Sequence, residues 1–83
     1  MRKPTIHING TSGNVLSEQY ATAARAVNEA INALGEAAPN GRDYYPQGPG
    51  AITEATAEHK ARLTKLRTVH AELLELWDYT ITD

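Results

Sequence analysis

The chain contains no cysteine and no phenylalanine. Without thiols, neither a disulfide nor a thiolate metal site can supplement the core. Without phenylalanine, the core must come from Leu, Ile, Val, Ala, Tyr and a single Trp. Long apolar runs are missing too, so the sequence predicts no transmembrane segment and no secretory signal. The start, Met1-Arg2-Lys3-Pro4, lacks the apolar stretch that a signal needs. A soluble, cytoplasmic protein is the expectation. Charge of one sign is also lacking: 8 basic and 10 acidic residues give a net charge of -2. That balance argues against general duplex binding, where counterion release rewards a strongly basic surface. It leaves room for a small anion pocket, which needs only local positive charge. The 83 residues make a single domain, 1–83. A domain so small buries a modest share of its surface, and association with further copies is the expected source of extra stability.

Four stretches follow one another without an internal repeat. In residues 4–10, Ile6 and Ile8 alternate with Thr5, His7 and Asn9, the period of a short extended segment (1–10). Asn9-Gly10 marks a turn. Thr11 or Ser12 can cap a first helix over 12–38. Its apolar positions, Leu16, Tyr20, Ala23, Val27, Ile31 and Leu34, are spaced by threes and fours and form one stripe. Ala21, Ala24, Ala26, Ala30 and Ala33 add helix propensity and permit close packing, and Pro39 ends the element. Residues 39–50 hold three prolines and three glycines, which predicts an ordered loop with no regular element. A second helix over 51–79 carries Ile52, Ala55, His59, Leu63, Leu66, Val69, Leu73 and Leu76, flanked by Leu74 and Trp77. Two stripes of similar length joined by a short loop predict an all-α fold: an antiparallel two-helix hairpin with a short extended N-terminal segment. Uncovered apolar flanks then predict a dimer that completes a four-helix bundle, or a higher oligomer.

Three groups of residues could carry chemistry. In the loop, Arg42 can grip phosphate or carboxylate in bidentate fashion. Tyr44 or Tyr45 can stack on a flat ring, and Asp43 can accept from a ribose hydroxyl or an exocyclic amine. The plainer reading is a structured connection whose tyrosines cover the bundle end. Before the first helix, His7, Asn9, Thr11 and Ser12 precede free N–H groups that attract anions. The plainer reading there is helix capping by the same residues. In the second helix, His59 and Arg62 border the stripe near the loop. His59 then serves either as a ligand contact or as a hydrogen-bonded core histidine, and Arg62 as the partner of Glu58 in an i,i+4 pair. Lys60 and Arg67 read as a solvated face, and acidic residues on the same helix make nucleic-acid binding the weakest reading.

No enzyme signature stands out. His59 and His70 are too far apart for one helical metal face. Glu54 and Glu58 are expected at a helix start from the dipole alone. The chain is therefore expected to be non-catalytic, with no cofactor and no metal.

Spacing also constrains any shared pocket. A helix of roughly 25 residues spans about 37 Å, so Thr11-Ser12 and the Arg42–Tyr45 loop belong at opposite ends of one hairpin. They can meet across an antiparallel dimer, giving two composite sites. Alternatively, the first ten residues can fold back along the bundle, reaching about 33 Å at most. The dimer is the preferred arrangement.

Thr5-Ile6-His7-Ile8-Asn9-Gly10-Thr11-Ser12, followed by Ala37-Ala38-Pro39-Asn40-Gly41-Arg42-Asp43-Tyr44-Tyr45-Pro46-Gln47-Gly48-Pro49, resembles a group of short, mostly uncharacterised bacteriophage proteins. In size and helical plan the chain is also similar to the phage sponge proteins, small oligomers that sequester immune signalling nucleotides. That resemblance implies an anti-defence sponge in the cytoplasm of an infected bacterium. Its ligand would be a nucleotide-derived molecule of the cyclic oligonucleotide or ADP-ribose type, held without catalysis. The competing reading is a helical protein–protein interaction or virion-associated module.

Overall fold

The computed structural model describes residues 1–81. The single-domain reading extends over residues 82 and 83, which lie outside them. The described residues are all-α, with α1 (Gly13–Glu36), a one-turn α2 (Gly41–Tyr44), a 3-10 turn (Tyr45–Gln47) and α3 (Ala51–Ile81). Together they form a rod of 61 × 20 × 17 Å.

Ser12 fixes the start of α1: its side-chain oxygen accepts the Val15 N–H at 3.2 Å. Thr11 does not cap. At the far end, Ala37 and Ala38 donate to the carbonyls of Leu34 and Gly35. Pro39 then disfavours a helical Ala38. The helix thus ends two residues before the expected 38, while α3 runs two residues beyond the expected 79.

The expectation of a connection without regular elements is corrected. Asn40 nucleates a turn of helix, its Oδ1 accepting the Arg42 N–H at 3.0 Å. Pro46 falls in the first turn of the 3-10 element, where no N–H is required. Gly48 then reverses the chain at φ 110°, ψ 168°. That region is open only to glycine and costs other residues about 1–3 kcal/mol. Space around Gly48 is free, so steric crowding plays no part. Gly48→Ala is therefore expected to lower stability within that range, measured by urea denaturation, with helical content unchanged.

α1 packs along α3, and the start of one meets the end of the other. A Cβ added at Gly13 would lie 3.2 Å from the Thr80 carbonyl oxygen and 3.4 Å from Ile6 Cδ1. The alternation of Ile6 and Ile8 produces no strand among the described residues, because no partner strand exists. Ile6 lies over Gly13, whereas Ile8 is 98% exposed, at the start of a turn closed by the Gly10 N–H donating to the His7 carbonyl.

The two helices make little core. Among the described residues no large side chain is fully buried; the deepest positions are Ala24, Ala55, His59 and Thr80. Ala24, one of the alanines expected to permit close packing, sits at the close approach, because a methyl group lets the helix backbones come together, while Ala23 of the stripe is half-buried. Leu16, Tyr20, Val27, Ile31, Leu34, Leu63, Leu66, Leu73 and Leu76 remain half-buried.

The rod has two unlike flanks. Ala21, Ala24, Arg25 and Asn28 of α1 line one groove with His70, Leu74 and Trp77 of α3. At about 100° per residue, Leu16, Ala23, Val27 and Leu34 turn to the opposite flank of α1. Val69, Leu73 and Leu76 do the same on α3. On α3 the same face also carries the exposed Glu58 and Arg62 nearer the connection, so the flank is mixed there and apolar from Val69 onward.

Candidate functional site

The loop residues are ordered but face outward. Asn40 capping and the 3-10 turn hold the backbone from Gly41 to Gln47. Arg42 and Asp43 are exposed, Tyr44 is half-buried, and Tyr45 is 76% exposed. Tyr45 therefore does not cover the bundle end.

His7, Asn9, Thr11 and Ser12 are exposed at the other end of the rod. The 24 residues of α1 separate them from the loop, a span of about 36 Å. Nor does the amino-terminal segment reach back. Lys3 Nζ lies 3.7 Å from Glu75 Oε1 and 5.6 Å from the Tyr79 ring centroid, which keeps the segment at the end of α3. Within one chain, the two motifs form no common pocket.

His59 is 6% exposed, and its Nε2 has no hydrogen-bond partner. The reading of a satisfied core histidine is thus corrected: the apolar stripe that buries the ring offers that nitrogen no acceptor or donor. Arg62, one turn along, is exposed and forms no ion pair with Glu58 among the described residues. His59 and Arg62 therefore sit in different environments.

The residues that do converge lie elsewhere. The groove of Ala21, Ala24, Arg25, Asn28, His70, Leu74 and Trp77 is an open cleft of about 410 Å³. That falls within the size range of small-molecule pockets. Its floor is alanine, its wall is Leu74 and the half-buried Trp77, and no carboxylate lines it. The Arg25 guanidinium donates to Thr22 Oγ1 at 3.3 Å and makes no ion pair among the described residues. Sequence reasoning passed over Arg25 and Asn28 because their role depends on the register between helices. The available signal was the pairing of small residues at 21 and 24 with His70, Leu74 and Trp77 at i, i+4 and i+7.

Among the described residues, no group of three or more His, Asp or Glu side chains could hold a metal ion. No helix among them is long and apolar enough to cross a membrane. No protein-family model, curated protein or solved structure matches the chain.

Proposed function

We propose that the protein is a non-catalytic helical interaction module whose first partner is a second copy of itself. One observation carries this reading: the chain exposes 6197 Å², against about 4,900 Å² for a compact monomer of its mass. The radius of gyration is 18.4 Å, against about 12 Å for a compact domain of this length. The excess surface, about 1,300 Å², exceeds the roughly 800 Å² that each partner contributes to a standard interface. The flank of Leu16, Val27, Leu34, Val69, Leu73 and Leu76 supplies apolar side chains for it, with Glu58 and Arg62 as its polar part. In this reading α1 and α3 act as an antiparallel hairpin, and two hairpins close a four-helix bundle. Sedimentation equilibrium tests it: a mass twice the 9.0 kDa of the chain is expected, and a monomer at hundreds of micromolar overturns it.

The ordered loop supports a second reading, the sequestration of a nucleotide-derived signal. Arg42 and Tyr45 are held on a capped turn with their side chains free for a ligand. An antiparallel two-fold would bring them beside His7, Asn9, Thr11 and Ser12 of the other copy, giving two sites per dimer. Calorimetry with cyclic oligonucleotides and ADP-ribose derivatives tests this reading. Binding abolished by Arg42→Ala supports it, and silence across the panel removes it.

A further inference from the structure

We propose that the groove between α1 and α3 is a binding site for a planar, largely apolar ring carrying an anionic group. It shares no residue with the loop site, and it lies on the flank away from the apolar face, so it stays open in the dimer described above.

Three features specify that ligand. The first is shape. Ala21 and Ala24 keep the floor low between two helices, and Leu74 and Trp77 rise beside it. A flat ring gains most from such a slot, because it can lie on the alanine methyl groups and against the indole together. The second is charge. Arg25 is the only Lys, Arg, Asp or Glu side chain in the lining. A guanidinium without an ion-pair partner, at the rim of an apolar slot, favours a carboxylate, sulfonate or phosphate on the ring's edge. The third is polarity at a fixed place. Asn28 and His70 put hydrogen-bonding groups from opposite helices into a lining otherwise apolar, and so orient a ring that bears a heteroatom.

The groove also contains its own reporter, since Trp77 is the only tryptophan. The test is a titration with 8-anilinonaphthalene-1-sulfonate, an anionic aryl probe, and with N-phenyl-1-naphthylamine, its neutral counterpart. Both are expected to quench Trp77 emission saturably below millimolar concentration. Arg25→Ala should weaken the anionic probe about tenfold, as loss of one charge-assisted contact does, and leave the neutral probe within about twofold. Ala21→Leu should fill the slot and remove both, with circular dichroism confirming that the helices persist. Exposed Arg25 makes its variant safe to fold, so the comparison stands even if Ala21→Leu does not fold. Equal loss of both probes in Arg25→Ala, no change in either, or saturation without quenching of Trp77 overturns the proposal. So does probe binding that falls as protein concentration rises, which would make a second copy the occupant.

Discussion

Val69→Glu is expected to turn the assembly into monomers at concentrations where the parent chain is dimeric. In a lone chain the substitution should be almost harmless. Val69 is 43% exposed there, and surface changes of that kind stay within about 0.5 kcal/mol. In a four-helix bundle the same position faces the partner's apolar flank, and the two-fold places a carboxylate in the interface from both copies. Burying an unpaired charge costs several kcal/mol. The dissociation constant should therefore rise by at least about a hundredfold, near 3 kcal/mol. Sedimentation equilibrium across a dilution series measures it directly. Thermal unfolding should move with it: Tm should depend on concentration in the parent chain and lose that dependence in the variant. A variant that associates as the parent does would show that the apolar flank is not the interface.

His59→Leu is expected to make the protein more stable, which is unusual for a change at a buried position. The imidazole is enclosed by the helix pair, yet its Nε2 has no partner. Leaving such an atom buried costs about 1–3 kcal/mol, and an apolar side chain of similar volume removes that cost. In a chain this short, each kcal/mol moves Tm by about 4–8 °C. Scanning calorimetry should therefore show a rise of several degrees. A fall would mean that Nε2 finds a partner in the assembled protein, and it would place His59 at an interface or a ligand.

The sequence exposed the helices more readily than the places where they touch. Threes and fours in the apolar spacing located α1 and α3 to within two residues at each end, since amphipathic periodicity is a property of one segment. The connection was harder. Counting Pro and Gly suggested irregular chain, but where they stand decides the outcome: Asn40 caps a turn, Pro46 enters a 3-10 turn at a tolerated place, and Gly48 alone needs the unusual backbone. Ala24 was legible only as one of several alanines that permit close packing, because close approach is set jointly by both helices. For the same reason the loop drew attention by its rich chemistry, whereas the Arg25–Trp77 groove was silent. Arg25 and Asn28 look like solvated residues on α1 until α3 sets His70 and Trp77 beside them.

The way the helices run past each other also fixes how the molecule comes apart. Next to the connection, facing residues are close in sequence, so little chain entropy is lost in joining them. At the distant end, Gly13 meets the Thr80 carbonyl across almost the whole length of the chain, and closing that gap carries the largest entropic cost. Opening should then proceed like a zip from that end, with amide exchange within α1 and α3 fastest there and slower toward their connection-side halves. The Lys3 contact with Glu75 and Tyr79 lies across this very end, a small clasp at the point where the rod is most ready to splay.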